Sequence, residues 1–304
     1  MSCMAIELPI IESKNAVREV SIGDFSLGGD SSVPFVRENA NKTKPLFALE
    51  IPFFIDKNYP QILKDHWGDA DLDFESLFDR AESSECDLIC VHINVAEENV
   101  EKELDYILSS LSKVAEKTSK QLIIKGTGSK VTDKVLLPAV AKVISKPCMI
   151  AYAEEATYEY IVPSVSQMNH LLVLRTPIDI NLAKELNILS IDLGLSPDRI
   201  LIDPDMGALG YGLDYGYSII EKIRQAAFNG DFMLSMPIIT FVGAETFKTK
   251  ESKSDKYGKS WGDLQERSVM WEISTAVSVI GAGANLVVLF HPESIKTLKE
   301  LLWS

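Results

Sequence analysis

The chain has 304 residues, 46% of them hydrophobic, and 44 acidic against 30 basic side chains give it a net charge of -14. That is a globular composition, long enough for one large domain or two ordinary ones, and its negative field repels phosphate backbones, which argues against nucleic acid as a partner. No apolar run reaches the roughly 20 residues that span a bilayer, and the first residues lack the basic and long apolar stretches of a signal peptide, so a cytoplasmic protein without a membrane contact is expected.

Residues 1–45 form an N-terminal extension outside the pattern that follows. Within it, Val17–Ile22 alternates and suits one strand of a hairpin closing the lower end of the next domain. Gly28–Phe35 is rich in turn formers. Over residues 46–304, short runs of Val, Ile and Leu alternate with segments of helical period. The predicted strands are Leu46–Pro52, Cys86–Ile93, Gln121–Gly126, Pro147–Ala153, His170–Thr176, Arg199–Asp203, Met236–Val242 and Ala284–His291. They are nearly continuous apolar runs, as in parallel strands covered on both faces. Between them, Val100, Leu104, Ile107, Leu108 and Leu111 form a helical stripe, with Glu98 and Lys102 spaced to pair on the outside. Ile219, Ile220, Ile223 and Ala227 form another. Asp263 and Glu266 have the spacing of a capping box before a helix through Trp271 and Ala276.

Eight strand–helix units over about 250 residues predict an α/β fold, a TIM (β/α)8 barrel with a short N-terminal extension. The alternative is a doubly wound open sheet. Its Gly-x-Gly-x-x-Gly turn after the first strand is missing behind Leu46–Pro52.

Four cysteines, Cys3, Cys86, Cys90 and Cys148, contain no Cys-x-x-Cys pair. They read as free thiols in a reducing compartment, too scattered for the roughly four thiolates of an iron–sulfur cluster. Cys86 and Cys90, four apart on a predicted strand, should share a face.

Function in a barrel collects at the carboxyl ends of the strands. Those ends carry Glu50, His92, Asn94, Lys125, Gly126, Thr127, Tyr152, Glu154, Glu155, Arg175, Asp203, Asp205, Gly243, Glu245 and His291. The four histidines form no zinc motif, and His170 starts its strand at the opposite end. Asp203, Asp205 and Glu245 are scattered for a Mg²⁺ site. Lys125 could form a Schiff base if desolvated, or pair with a neighbouring acid. No Gly-x-Ser-x-Gly elbow is present. Lys125-Gly126-Thr127-Gly128 could offer backbone N–H groups to a phosphate, or be an ordinary turn. The long loop Gly243–Gly262 concentrates Lys248, Lys250, Lys253, Lys256 and Lys259 in an acidic protein. It reads either as a solvated flexible loop or as a lid or docking surface.

Several segments share one pattern: Ser32-Val-Pro-Phe35; Gly126 with Asp133; the run DPDMGALGYGLDYGYSIIEKIRQAA from Asp203 to Ala227; Pro237-Ile-Ile; and Glu245-Thr-Phe-Lys248. Trp261-Gly-Asp263, Arg267, Trp271-Glu272, Thr275-Ala276 and His291-Pro-Glu293 complete it. Together they resemble the small (delta) subunit of the corrinoid iron–sulfur protein, of the CO dehydrogenase/acetyl-CoA synthase system. That resemblance implies a barrel paired with a large subunit carrying the [4Fe–4S] cluster and a cobalamin domain, the corrinoid lying between the two. It also implies transient encounters with a methyltetrahydrofolate methyltransferase and with acetyl-CoA synthase. A cobalamin motif Asp-x-His-x-x-Gly is missing from the chain, which suits a covering subunit. The corrinoid-facing rim is expected to draw on Asn94, Gly126, Thr127, Tyr152, Asp203, Gly207, Gly210, Gly212 and His291, with no catalytic residue and no metal ligand. The alternative reading is a pterin-binding barrel like the methyltetrahydrofolate:corrinoid methyltransferase, with Asn94 and Asp203 holding the pterin.

Overall fold

The computed structural model describes residues 13–32, 43–55, 59–68 and 73–303. Cys3 and Val33–Phe35 lie outside the described residues. A hairpin of β1 (Val20–Ile22) and β2 (Phe25–Leu27) precedes eight parallel strands: β3 (Leu46–Pro52), β4 (Leu88–His92), β5 (Gln121–Lys125), β6 (Met149–Ala153), β7 (Leu171–Arg175), β8 (Ile200–Asp203), β9 (Ile239–Thr240) and β10 (Leu286–Leu289). Helices α1 (Gln61–Trp67) and α2 (Phe74–Glu82) follow β3, and α3 (Val100–Lys117), α4 (Lys130–Val143), α5 (Tyr158–Gln167), α6 (Ile180–Asp192) and α7 (Leu213–Phe228) follow the next five strands in turn. After β9 come α8 (Val242–Thr246) and α9 (Leu264–Ala282), and α10 (Pro292–Trp303) ends the chain.

The sheet runs β8-β7-β6-β5-β4-β3-β10-β9, and a single parallel bridge between Ile202 and Ile238 brings its two ends together. The fold is therefore the expected (β/α)8 barrel. Among the described residues no helix is long and apolar enough to cross a membrane.

Period-two alternation divides the apolar runs between two cores. Phe47, Leu49 and Ile51 of β3 face outward into a core shared with the helices. Leu46 and Ala48 face inward with Leu88, Cys90, Ile123, Met149, Leu171, Val173, Leu201, Leu286 and Val288. Val20, Ile22 and Leu27 of the hairpin join this inner cluster. Cys86 and Cys90 do not share a face: Cys86 packs in the outer core and Cys90 in the inner one. The strand begins only at Leu88, so strict alternation does not reach back to Cys86. Cys86, Cys90 and Cys148 are free and buried.

The strand expected over Met236–Val242 shortens to Ile239–Thr240. Pro237 has no N–H to donate, the Ile238 N–H goes to the Asn285 side chain, and Val242 already opens α8. In α3, Ile107 and Leu111 are buried while Val100, Leu104 and Leu108 pack against the core from its edge. The expected Glu98–Lys102 pair is replaced by Lys102 with Glu103 at 3.4 Å, because Glu97–Asn99 form a 3-10 turn and the α-helix starts at Val100.

One cation interrupts the apolar face of α7. Arg224 is 2% exposed, and its guanidinium donates to the Gly283 and Met236 carbonyls, both at 2.9 Å, and to Asn285 Oδ1. Asn285 in turn donates to Asp30 at 2.7 Å. Arg224 thus ties α7 to the Met236 carbonyl before β9 and to the end of α9 just before β10. Arg224→Met should destabilise the protein by about 3 kcal/mol or more, since it strands buried acceptors. Urea denaturation measures this, and a loss below about 0.5 kcal/mol, the range of an ordinary surface change, would contradict it.

Candidate active face at the carboxyl ends of the strands

The inward side chains change character along each strand. After one or two apolar layers, the last inward positions are Glu50, His92, Lys125, Arg175 and Asp203, one from each of β3, β4, β5, β7 and β8. A register shift between Ala151 and Ala153 turns Tyr152 of β6 toward the inner cluster, and Phe241 joins that cluster just past β9. Together with Thr127, Asp205, Met206, Ala244, Glu245 and Lys248, all of these except Glu50 line a cavity of about 190 Å³ at the carboxyl end of the barrel.

Two ion-paired groups fill this end. Glu50 is 3% exposed and accepts two hydrogen bonds from Lys125 Nζ, at 2.9 and 3.0 Å. His92 Nδ1 lies 3.4 Å from the same carboxylate, and Lys125 Nζ sits 5.0 Å from the centre of the Phe241 ring. Opposite, Arg175 Nη2 donates to Asp205 at 2.6 Å, and its Nε lies 3.7 Å from Asp203. The guanidinium stacks over Tyr152 at 4.5 Å, an arrangement that strengthens when water is excluded.

In a continuing strand Asp203 and Asp205, two apart, would share a face but stand apart along it. The strand instead ends at Asp203, and Asp205 takes a left-handed conformation (φ 58°) that Asp tolerates better than most residues. The turn brings both carboxylates to Arg175, and the Asp205 N–H donates to Asp203 Oδ1 at 3.0 Å.

Burial pushes the Asp203 carboxyl up to about 7, against the pull of Arg175. Burial, reinforced by Lys125, holds His92 well below its ordinary value, so its imidazole is neutral. For Lys125, burial favours the neutral amine, but the Glu50 carboxylate outweighs it and the group stays above the usual lysine range. A Schiff-base lysine needs a free amine at neutral pH. Lys125 is instead the paired lysine. Among the described residues, no group of three His, Cys, Asp or Glu side chains is placed to hold a metal ion.

Of the expected rim, Thr127, Tyr152 and Asp203 line the cavity. Gly126 abuts Asp133, whose carboxylate accepts from the N–H groups of Thr127 and Gly128 and from the Thr127 hydroxyl, all at 2.9 Å. The N–H groups considered for phosphate are therefore already occupied by a carboxylate of α4. Asn94 is a strut: it accepts from Phe54 N at 2.8 Å and donates to Phe54 O at 2.6 Å, joining the exits of β3 and β4. His291 is fully buried behind the sheet, its ring 4.7 Å from His66, and burial lowers it to about 4. Gly207 serves the turn itself, because a Cβ there would lie 2.1 Å from the Tyr211 carbonyl. Gly212 caps α7 at φ 92°, and Gly210 has open space around it. His92, Lys125, Arg175, Asp205, Met206, Phe241, Ala244, Glu245 and Lys248 line the cavity without having been placed in that rim. Inward parity, counted back from each strand's apolar positions, is the signal that finds the first three.

The Trp261–Glu272 segment supports this face from outside. Asp263 caps α9 by accepting from Glu266 N at 2.9 Å. Trp271 Nε1 donates to the Leu209 carbonyl at 3.1 Å, and the Thr275 hydroxyl accepts from Leu209 N at 3.3 Å, so α9 holds the glycine-rich turn from both sides. Glu272 is fully buried and accepts from the N–H groups of Phe290 and His291, at 2.6 and 3.2 Å. Burial raises it to about 7.

Comparison with known proteins gives a consistent match. The model of the CO dehydrogenase/acetyl-CoA synthase delta subunit family fits residues 24–302. The acetyl-CoA decarbonylase/synthase complex subunit delta 2 of Methanosarcina acetivorans is 28% identical over 96% of this chain and 71% of its own length. The delta subunit of Methanopyrus kandleri is 26% identical over 91% and 69% respectively. Among solved structures, a dihydropteroate synthase of Coxiella burnetii in complex with pteroic acid aligns with TM-score 0.56 and 16% identity, covering 86% of this chain and 93% of that one. At that identity it is the fold that is shared.

Two outcomes follow for the charged layer. Glu50→Ala strands a buried ammonium and should cost about 3–5 kcal/mol, whereas Glu50→Leu with Lys125→Met should cost clearly less than the sum of the single changes. Additive single changes in a denaturation cycle would contradict the pairing. Asp203 is protonated in the folded state up to about pH 7, but its unfolded carboxyl ionises near ~3.9. Between those values the native state holds a proton that the unfolded state lacks. Asp203 therefore contributes most to stability below about pH 4 and loses that contribution as pH rises towards 7. Asp203→Asn should flatten stability against pH over this window by on the order of 4 kcal/mol. An unchanged slope in urea titrations at pH 4 to 8 would contradict it.

Proposed function

Because the chain belongs to the CO dehydrogenase/acetyl-CoA synthase delta subunit family, we propose that it is the small subunit of a heterodimeric corrinoid iron–sulfur methyl carrier. In this reading the carboxyl face of its barrel covers a cobalamin held mainly by the large subunit. The observation that carries it is the family match over nearly the whole chain. The character of the face supports it. The cavity, about 190 Å³, is below the roughly 300–1,000 Å³ of sites that enclose a drug-sized ligand. A macrocycle would lie across its mouth rather than inside it, so the residues fit the group as a roof and not as a socket.

When bound, the corrinoid supplies the cobalt nucleophile that carries a methyl group from methyltetrahydrofolate to acetyl-CoA synthase. What this chain contributes is its own surface. Lys125 and Arg175 are each already neutralised by carboxylates at hydrogen-bond distance. No strong unpaired base or nucleophile is offered at the mouth. Tyr152 and Phe241 lie against the two paired cations, so the face presents held, compensated charge. The [4Fe–4S] cluster is assigned to the large subunit, since this chain has four cysteines and, among the described residues, no group of three His, Cys, Asp or Glu side chains is placed to hold a metal. The pterin alternative is weakened at Asn94, whose amide is spent on the Phe54 main chain.

Co-expression tests the proposal. The chain with its large subunit should purify with stoichiometric corrinoid, read from the visible absorbance, and the isolated chain should carry none. Stoichiometric corrinoid on the isolated chain would overturn it. Calorimetric titration of the isolated chain with methyltetrahydrofolate should be flat, and micromolar binding would favour the pterin reading instead.

A further inference from the structure

The lysine-rich segment that follows β9 remains outside the site described so far. From Phe247 to Gly262 the chain carries Lys248, Lys250, Lys253, Lys256 and Lys259 against two acids, Glu251 and Asp255, in a protein of net charge -14. Lys248 pairs with Glu245 at 2.6 Å. Glu251 is turned towards tyrosines, accepting from the Tyr257 hydroxyl at 2.9 Å and from that of Tyr211. Lys250, Lys253, Lys256 and Lys259 are exposed and make no ion pair among the described residues.

This segment is tied down from beneath. Arg267, 6% exposed, lies beneath it and donates to the carbonyls of Glu251 at 2.7 Å, Gly262 at 3.1 Å and Ser254. Its guanidinium also stacks 4.7 Å from the Tyr257 ring. Ser252, 1% exposed, donates to the Thr246 carbonyl at 2.7 Å, and Ser268 of α9 donates to the Ser252 carbonyl at 2.9 Å. Phe247 is buried and stacks on Phe290. Above this base Trp261 is 48% exposed, backed by Tyr257 at 5.1 Å and Trp271 at 6.1 Å, with Tyr211 also 48% exposed nearby.

We infer that this loop is a docking surface for an acidic face of a transient protein partner that visits the carboxyl end of the barrel. A held aromatic side chain on a segment that also carries unpaired cations suits an interface anchor, and a surface ordered beforehand loses little entropy on binding. The sign of the charge selects carboxylates on the partner, opposite to the chain's own overall field. Lysines at this density suit the polar rim of an interface, where charge steers encounter more than it holds the complex. The inference rests on the proposed carrier role, because that role gives transient partners a reason to reach this face.

The experiment uses the intact heterodimer with the large subunit. Its association with the purified methyltetrahydrofolate methyltransferase and with acetyl-CoA synthase is followed by stopped flow at low and high salt. Failure of the wild-type chain to form a heterodimer would count against the carrier role itself, before any variant is made. With the heterodimer in hand, the variant Lys253→Glu, Lys256→Glu, Lys259→Glu should lower the association rate of at least one partner tenfold or more at low salt. It should also flatten the salt dependence. The corresponding Lys→Arg variant should keep both. Trp261→Ala should raise the dissociation rate several-fold with little effect on association. Unchanged association of both partners at low salt would overturn the inference. So would loss of the heterodimer in the charge-reversed variant, which would make the loop part of the permanent interface. Self-association of the wild-type chain that the reversal abolishes would also overturn it, by making the occupant a second copy of this chain.

Discussion

A closed sheet of eight strands has to fill its own interior, and in this chain the carboxyl end of that interior is filled with charge. Taking an ion out of water costs several kcal/mol unless a partner of good geometry replaces the lost hydration. That requirement organises the whole upper end of the barrel. Glu50 exists opposite Lys125, and Arg175 opposite Asp203 and Asp205, with Phe241 and Tyr152 covering the two cations. The left-handed turn at Asp205, the close approach at Gly207 and the grip of Trp271 and Thr275 on Leu209 all hold carboxylates where the cations need them.

The lower end obeys the ordinary rule instead. Its inward layer is hydrocarbon, and the β1–β2 hairpin adds Val20, Ile22 and Leu27 to it. Outside that layer Arg224 of α7 is the buried charge at this end, and it serves the main-chain carbonyls of Met236, before β9, and Gly283, at the end of α9. Stability and surface chemistry are thus separated along the barrel axis, as the fold allows. One end is packed, and the other is arranged.

Much of this was legible in the sequence because parallel strands covered on both faces have to be apolar throughout. Leu286–Leu289 is such a run from end to end, and Leu46–Pro52 is buried throughout and broken only by Glu50. What the runs conceal is which side each residue faces, since both sides are apolar. Cys86 and Cys90 were therefore assigned to one face and lie on two. Local exceptions are equally hidden: nothing around Met236–Val242 announces that Asn285 takes the N–H of Ile238. At the site, Asp203, Tyr152 and Thr127 reach the cavity, whereas Asn94 and His291, equally polar and equally at strand ends, are turned to structural tasks. Polarity marks a strand end, but whether it faces the cavity is decided by parity within the strand and by the bulges and turns that break it, as at Tyr152 and Asn94. The glycine run and the Trp261–Glu272 segment are distant in sequence, and only the fold shows that one clasps the other.

That clasp bears on motion. Arg267 sits in the first turn of α9, just after the Asp263 cap, and the same side chain closes the loop that precedes it. Loop and helix start are therefore one cooperative unit, in which neither can melt without exposing the other's unsatisfied groups. Opening of the loop then has to break the Arg267 and Ser252 hydrogen bonds together, rather than swing a tether. The segment is a fixed fender beside the mouth of the barrel, and any gating of access there has to come from the body that approaches it.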